Sequence, residues 1–317
     1  MMRYPMLLSP AGKDYLWGGE RLKSEYGKQI NLNPLAETWE CSAHPDGPSV
    51  VVNGEHKGRT LLEVIAEHPE YLGAKCDPTD GFPILIKFID AAKDLSVQVH
   101  PDDDFATKYE HDRGKTEMWY VLDAEPDAEL VYGFEHPVNE EILRNAVKNG
   151  DLAKHLHRIK AHKGDTFYIP AGTVHAIGSG LLIAEIQESS NLTYRVYDYD
   201  RVGPDGRKRE LLFDKAVKVM DMKPTRDIRQ QSRVIRHYPG CSREVICRCQ
   251  YFEAEKIQCS ECFEFTVRPE SYQVLLCVEG SGRLGNMEFR KGQCILLPAG
   301  LGRMKIYGHC ELLKVRC

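Results

Sequence analysis

The chain has 317 residues, of which 42% are hydrophobic and 28% are charged, and its formal net charge is −5. This length and apolar content suffice for two domains with buried cores, which argues against a disordered chain. Charges of both signs are spread along the sequence, without the basic stripe of a nucleic-acid-binding protein or the basic amphipathic helix of a membrane-surface protein. The expected partner is a small molecule, with no nucleic acid and no membrane.

The N-terminus and the cysteines bear on the cellular compartment. The segment MMRYPMLLSP is too short, and too interrupted by Pro5 and Pro10, for the apolar core of a signal peptide. Eleven cysteines, an odd number, are interpreted as reduced thiols and not as a disulfide framework. We therefore expect a cytoplasmic protein, and its expected oligomeric state is a monomer or a weak homodimer.

Short runs rich in Val, Ile, Tyr and Phe, separated by Gly, Pro, Asp and Asn, predict a mainly β protein with few helices. The first helix is predicted from Thr60 and Glu63, which form a capping box ahead of an apolar run, and it should stop near Pro69. The apolar stretch 82–89 is interrupted by Lys87 and is too short for a membrane span. Lys87 is interpreted as the charge of an edge strand.

Two strands with paired polar residues follow. In DLSVQVHPDD, Gln98 and His100 stand two residues apart, so both side chains project from one face of a strand. Lys115 and Glu117 have the same spacing in GKTEMWYVL. If these faces line a barrel interior, His100 and Glu117 converge on one cation together with His175 from a third strand. Two His and one Glu match open catalytic zinc sites, with iron, manganese and nickel as alternatives.

The next segment is predicted to be helical. A helix follows Pro137 and ends at Gly150, and its apolar face is formed by Ile142, Leu143, Ala146 and Val147. Asp151 is a candidate cap for another short helix. His155 and His157 would then lie on different faces of that helix, as solvated surface residues and not as metal ligands.

An internal repeat gives the organisation of the chain. KGDTFYIPAGTVHAI begins at Lys163 and KGQCILLPAGLGRMKI begins at Lys291, with identical spacing from the first Gly to the Pro-Ala-Gly turn. The repeat predicts two β-barrels, each with a strand that ends at such a turn. His175 lies five residues after its proline, and the equivalent position holds Arg303, which has no lone pair for a metal. The second barrel is therefore expected to be metal-free.

The order QVHP, Glu117 strand and PAGTVH is that of cupins, so the predicted fold is mainly β, with two cupin (jelly-roll) β-barrels and a few decorating helices. Residues 1–225 are predicted as the metal-binding catalytic domain with helical insertions, including helical spacing over 210–220. Residues 226–317 are predicted as the metal-free cupin-like domain, and the polar segment 222–233 as the linker. The cysteines of CRC at Cys247 and CSEC at Cys259 lack zinc-knuckle spacing, so structural thiols are favoured over a second zinc site.

Six segments carry a family resemblance: YLWGGERL at Tyr15, LAETWECSAHPDG at Leu35, LSVQVHPDD at Leu95, GKTEMWYVL at Gly114, PAGTVHAI at Pro170 and EIQESSNLTYRVYDYDR at Glu185. Together they resemble the type I mannose-6-phosphate isomerases, in the short bacterial form that lacks the large helical domain. The resemblance covers the first two-thirds of the chain, and the C-terminal barrel resembles the family's metal-free cupin through the repeat alone.

The resemblance implies interconversion of mannose 6-phosphate and fructose 6-phosphate, with one Zn²⁺ per chain. The family's metal ligands fall onto Gln98, His100, Glu117 and His175. Its active-site arginine falls onto Arg195, its pocket residues match Lys115 and Glu185, and Trp17 is expected to line the pocket or to have a structural role. Gln98 has two interpretations: a fourth ligand, or a neighbour of the metal that does not coordinate it.

The chemistry of such an isomerisation needs particular groups. A proton moves between C2 and C1 through an enediolate, and the charge developing on O1 and O2 dominates the barrier. The metal can polarise these oxygens, and Arg195 can stabilise the negative charge that develops on them. The alternative for Arg195 is a surface ion pair with Asp198 or Asp200. Glu185, Lys115, a metal-bound water and a pocket His are candidates for the base. Arg195, Lys115 and Lys87 are candidates for binding the substrate phosphate.

Two other functions compete with this hypothesis. A non-haem iron dioxygenase uses the same two His and one carboxylate, although Gln98 and the charged Lys115 and Arg195 speak against it. Oxygen uptake with anaerobically loaded iron would support it. A sugar-binding or regulatory cupin is the second alternative, and an unchanged mannose 6-phosphate NMR signal would support that one.

Overall fold

The computed structural model describes residues 3–203, 206–225 and 234–317, which form three antiparallel β-sheets with five α-helices. The first thirteen strands are β1 (Met6–Ser9), β2 (Ala11–Lys13), β3 (Glu37–Cys41), β4 (Val50–Val51), β5 (Ile84–Ala91), β6 (Val97–Val99), β7 (Glu117–Ala124), β8 (Glu129–Phe134), β9 (Leu156–Lys160), β10 (Thr166–Ile169), β11 (His175–Ile177), β12 (Leu181–Glu188) and β13 (Tyr194–Tyr197). The remaining strands are β14 (Arg236–Tyr238), β15 (Cys241–Arg248), β16 (Glu253–Cys259), β17 (Cys262–Val267), β18 (Gln273–Leu284), β19 (Met287–Arg290), β20 (Cys294–Leu297) and β21 (Gly302–Arg316). The helices are α1 (Arg21–Ser24), α2 (Leu61–Glu67), α3 (Asp103–Tyr109), α4 (Glu140–Asn149) and α5 (Phe213–Val219), with short 3₁₀ turns at Pro69–Tyr71, Pro78–Asp80 and Leu152–Lys154.

Three predicted helices are confirmed. Helix α2 begins with the expected capping box, in which Thr60 Oγ1 accepts from the Glu63 backbone N–H and the Glu63 carboxylate accepts from the Thr60 N–H. Helix α4 ends at Gly150 in the left-handed conformation, with φ +74°. Its buried face is narrower than expected because Ile142 is 37% exposed. Helix α5 lies within the segment predicted over 210–220.

The prediction of a helix that carries His155 and His157 is wrong. A single 3₁₀ turn is present, Asp151 makes no side-chain capping bond to it, and His155 ends the turn. His157 lies in β9, which pairs with β8 and alternates between buried and exposed residues. Pairing with a neighbouring strand outweighs the local helical spacing here. Both histidines remain outside the metal cluster described below.

The first barrel consists of two sheets that face each other. The six-stranded sheet has the order β10-β7-β12-β5-β3-β2, and the five-stranded sheet has the order β13-β6-β11-β8-β9. Apolar residues of both sheets fill the space between them, among them Ile89, Trp119, Ile183, Leu130, Tyr132 and Ile177. Helices α4 and α5 cover the outer face of the five-stranded sheet. The predicted cupin-type β architecture with decorating helices is therefore confirmed.

The central strands of the six-stranded sheet are buried on both faces. On β5, Ile84, Ile86 and Phe88 point out of the barrel and pack with Val274 and Leu276 of β18, in the C-terminal part of the chain. The intervening positions point into the first barrel. A polar residue on the inner face is therefore placed in the barrel interior, far from bulk water.

The repeat is present in the structure. Strands β10 and β20 each end at the Pro-Ala-Gly turn, and Gly172 and Gly300 have φ of +87° and +81°. Glycine, which lacks a Cβ atom, adopts such φ values without steric strain, and this explains the turn sequence that the two repeats share. Strands β14 to β21 form one ten-stranded sheet together with β1 and β4 from the N-terminal part. The division between residues 225 and 226 stays a prediction, and most of the predicted linker, 226–233, lies outside the described residues.

None of the helices in the described ranges is long and apolar enough to cross a membrane.

Candidate metal centre and adjoining pocket

Three side chains from the two facing sheets meet inside the first barrel. His175 opens β11 and His100 directly follows β6, both in the five-stranded sheet, whereas Glu117 opens β7 in the opposite sheet. Nε2 of His175 lies 3.3 Å from Glu117 Oε1, and Nε2 of His100 lies 3.7 Å from Glu117 Oε2. One ligand atom from each residue lies within 4.8 Å of the other two. A single cation between them can touch all three.

The hydrogen bonds of the two imidazoles leave their Nε2 atoms free for a metal. Nδ1 of His100 lies 2.8 Å from the Leu192 carbonyl oxygen, and Nδ1 of His175 lies 2.8 Å from that of Thr173. A carbonyl oxygen only accepts, so each Nδ1 carries the proton and each Nε2 keeps its lone pair. His100 Nε2 and both Glu117 oxygens are buried without a hydrogen-bond partner. These orphaned atoms fit a divalent cation bound between them.

Burial shifts the pKa of all three residues. It lowers the pKa of His175 to about 4 and that of His100 well below its usual range, so both rings are neutral, as metal ligation requires. Burial and the charge of Glu185 raise the pKa of Glu117 to about 8. A buried carboxyl in this condition needs a positive partner to ionise, which a metal ion provides.

Gln98 lies beside the cluster. Its amide nitrogen is 3.4 Å from His175 Nε2, and the side chain lines the cavity next to the three ligands. Coordination by Gln98 stays a prediction.

A cavity of about 280 Å³ opens beside the cluster. Every predicted pocket residue lines it: Trp17, Lys115, Glu185 and Arg195. Trp17 is 3% exposed and packs against Tyr15, with ring centroids 5.6 Å apart. Lys87, a candidate for binding the substrate phosphate, also lines the cavity. Further lining residues were not predicted from the sequence: Tyr15, Glu37, Ser96, Asn191, Thr193 and Arg209.

Buried charges of both signs occupy one side of the cavity. Lys87 Nζ lies 3.6 Å from Glu37 Oε2 and 3.3 Å from Glu185 Oε1. The indole N–H of Trp119 donates to Glu185 at 3.0 Å. Burial would lower the pKa of Lys87, but the two carboxylates outweigh it and raise the pKa, so Lys87 is cationic. For Lys115, 3.7 Å from Glu117 Oε2, burial prevails and lowers the pKa.

The interpretation of Lys87 as an edge-strand charge is wrong. Strand β5 lies between β12 and β3, and Lys87 is 4% exposed on its inner face. The sequence did contain a signal for the burial of Lys87, because an apolar run of this kind predicts a strand that is buried on both faces. A buried lysine requires anionic partners, which the sequence does not identify.

Arg195 lines the cavity and does not form the ion pair considered as an alternative. Its guanidinium donates to Ser96 Oγ at 3.3 Å and to the Glu210 carbonyl oxygen at 3.0 Å. Asp198 is instead bound by Arg201 and Arg209, and Asp200 by Lys208. Arg195 is therefore directed to the cavity without a carboxylate partner among the described residues.

No second metal cluster is found in the parts of the chain that the structure describes. Cys259 lies opposite Cys241 on one side and Cys310 on the other, within the ten-stranded sheet. All eleven cysteines are free thiols. The absence of a second zinc site stays a prediction.

Comparison with known proteins gives full-length matches. Residues 6–133 match the family model described as the catalytic domain of type I phosphomannose isomerase, and residues 243–317 match that of the mannose-6-phosphate isomerase cupin domain. Mannose-6-phosphate isomerase ManA of Bacillus subtilis is 38% identical, with 99% of each chain covered. The Streptococcus mutans mannose-6-phosphate isomerase is also 38% identical, with 98% of each chain covered. The crystal structure of the Bacillus subtilis mannose 6-phosphate isomerase superimposes with a TM-score of 0.92 at 37% identity, covering 98% of this chain and 99% of the other.

Proposed function

The chain belongs to the type I mannose-6-phosphate isomerase family, and on that premise we propose that the His100, Glu117 and His175 cluster with its adjoining cavity is the catalytic centre. The protein is an aldose-ketose isomerase that interconverts mannose 6-phosphate and fructose 6-phosphate. The observation that carries the assignment is the convergence of His100, Glu117 and His175 beside a cavity lined by cationic side chains, with His100 Nε2 and both Glu117 oxygens buried without a hydrogen-bond partner.

The cofactor proposed for this centre is one Zn²⁺ per chain. Two imidazole nitrogens and one carboxylate are a common ligand set of catalytic zinc, and Gln98 is the proposed fourth ligand. When bound, the ion polarises the oxygens on C1 and C2 of the open-chain sugar. The carbonyl groups of Leu192 and Thr173 hold the two imidazoles in the tautomer that this role needs.

The remaining steps belong to residues of the pocket. We assign to Arg195 the stabilisation of the negative charge on the enediolate, since its guanidinium faces the cavity without a carboxylate partner in the described chain. Lys115 and Glu185 lie next to the metal centre and are the proposed carriers of the proton between C1 and C2. Trp17, buried against Tyr15, is proposed as an apolar wall of the substrate pocket.

A cytoplasmic location is part of the proposal. Its support is the set of eleven free thiols, which persist in a reducing compartment. The proposed monomer or weak homodimer is tested by sedimentation over a range of protein concentrations.

The experiment for the proposed function follows both sugar phosphates by NMR in the presence of the zinc-loaded protein. Appearance of fructose 6-phosphate from mannose 6-phosphate, and its loss in Glu117→Gln, is the expected result. Oxygen consumption by the iron-loaded protein with mannose 6-phosphate left untouched would instead support a dioxygenase.

A further inference from the structure

The cationic residues of the cavity fall into two groups. Lys87 and Lys115 lie among carboxylates: Lys87 between Glu37 and Glu185, and Lys115 3.7 Å from the ligand Glu117. Their charges are therefore largely offset, and Lys115 is adjacent to the metal centre. Arg195, on β13, and Arg209, between β13 and α5, line the same cavity. These arginines make up the second group.

The arginine group carries an excess of positive charge. Arg209 binds Asp198 with two bonds, from Nε at 2.8 Å and from Nη2 at 2.5 Å, and Arg201 binds the same carboxylate. Arg195 donates to two neutral oxygens. Three guanidinium groups with one carboxylate leave two positive charges without an ion-pair partner among the described residues. Burial first, and then the charge of Arg209, lower the pKa of Arg195, as expected for like charges held close together.

The two ends of the substrate differ in chemistry, which fixes its orientation in the cavity. In a hexose 6-phosphate the reacting C1–C2 end and the phosphate are at opposite ends of the molecule. With C1 and C2 at the metal centre, a phosphate bound by Lys115 would lie at the wrong end, beside Glu117. A dianion is better accommodated beside the arginine group, where three guanidiniums share the single carboxylate of Asp198. The bonds to Asp198 use Nε and Nη2 of Arg209, which leaves Nη1 for another acceptor.

We propose that Arg209 binds the phosphate group of the sugar and that Asp198 holds the Arg209 side chain in place for this contact, while Arg195 keeps its role at the enediolate. Ser96, Asn191 and Thr193 line the same cavity and supply neutral donors. This inference rests on the proposed function, which it extends from the reacting end of the substrate to its anionic end.

The test compares Arg209→Gln and Arg209→Lys with the control Arg144→Gln, in the zinc-loaded full-length protein. Arg144 is 51% exposed and pairs with Glu140 and Asp214, on the outer helices. We expect Arg209→Gln to raise KM for mannose 6-phosphate, and the dissociation constant of inorganic phosphate, by about 10- to 100-fold, since charge-assisted hydrogen bonds to the phosphate are lost. The expected change in kcat is below about 3-fold, and lysine should restore part of the affinity because it keeps the charge but not the planar fork.

Unchanged KM and unchanged phosphate binding in Arg209→Gln, as in the Arg144 control, would overturn the inference. A fall in kcat and in bound zinc without a change in phosphate binding would also overturn it, because Arg209 would then act on the metal centre. Failure of the wild-type protein to convert mannose 6-phosphate would refute the proposed function itself. Calorimetry with inorganic phosphate would still measure the anion site in that case.

Discussion

Lys87 and Glu185 are direct partners across the adjacent strands β5 and β12, and their Nζ and Oε1 atoms are 3.3 Å apart. Each is 4% exposed, and Glu37 supplies a second carboxylate to the lysine. A buried charge without a partner strongly destabilises the folded protein, whereas buried charges of opposite sign offset part of each other's desolvation cost. The ion pair also fixes Glu185 beside the metal centre, where the proposed proton transfer takes place.

Replacing Lys87 by methionine tests this relationship. Two buried carboxylates would lose their cation, so we expect a loss of unfolding free energy of about 3–5 kcal/mol and little remaining isomerase activity. Chemical denaturation measures the change in unfolding free energy, and the rate of fructose 6-phosphate formation measures the activity. The exposed Lys93→Met is the control. Equal stability and equal activity of the two variants would show that the Lys87 ion pairs are dispensable.

The metal ligands are tested by His100→Ala, Glu117→Ala and His175→Ala. Each variant removes one of three converging ligands, so bound metal and activity should fall together, by about 100-fold or more in activity given the cost of losing even outer partners of such sites. Metal analysis of the purified proteins is the measurement. His162→Ala, 70% exposed on its side chain, is the control. Activity that survives without bound metal would contradict the assignment.

Arg195→Ala separates chemistry from metal binding. The Arg195 guanidinium donates to Ser96 and to the Glu210 carbonyl oxygen and not to the three ligands, so the variant should retain its metal. We expect kcat to fall by about 10²–10³-fold, the usual effect of removing one group that stabilises a developing oxyanion. The exposed Arg303→Ala, at the position of the second repeat that corresponds to His175, is the control and should behave as the wild type. Loss of metal from the Arg195 variant would refute its catalytic role.

The pH dependence of stability is expected to report on Glu188. Burial, with Asp103 nearby, raises the pKa of this carboxyl from its ordinary value of 4.5 to about 8 in the folded protein. Between these values the unfolded chain releases a proton that the folded chain keeps. The Glu188 contribution to the free energy of unfolding therefore falls as pH rises from 4.5 to 8, by at most about 1.4 kcal/mol per pH unit.

Glu188→Gln keeps an acceptor for the Thr116 N–H, which Glu188 Oε1 binds at 2.7 Å, and cannot ionise. Urea denaturation at a series of pH values should show a flatter curve for this variant and a gain in stability at pH 8. A curve parallel to that of the wild type would mean that Glu188 has an ordinary pKa in the folded protein.

Local patterns in the sequence explain why much of the site was predictable. The two-residue spacing of Gln98 and His100 places both on one strand face, and the proline turn fixes His175 at the start of the next strand. The corresponding turn at Gly300 has the same backbone, with φ +81°. These features depend on neighbouring residues along the chain.

The residues that were missed depend on contacts between distant segments. The burial of Lys87 follows from the position of β5 between two other strands, and a strand's position in a sheet is not encoded in its own sequence. Arg209 is directed to the cavity by its bonds to Asp198, in a segment with no regular motif. The pairing of β1 with β20 joins the two ends of the chain and has no local signal.

The most direct test of the metal centre is a zinc titration of the metal-free protein, with bound zinc and the rate of fructose 6-phosphate formation measured on the same samples. Activity should rise in proportion to bound zinc, saturate at one ion per chain, and be absent from His175→Ala at the same zinc concentration. Full activity in the thoroughly metal-free protein, or equally tight zinc binding and activity in the His175 variant, would contradict the proposed metal centre.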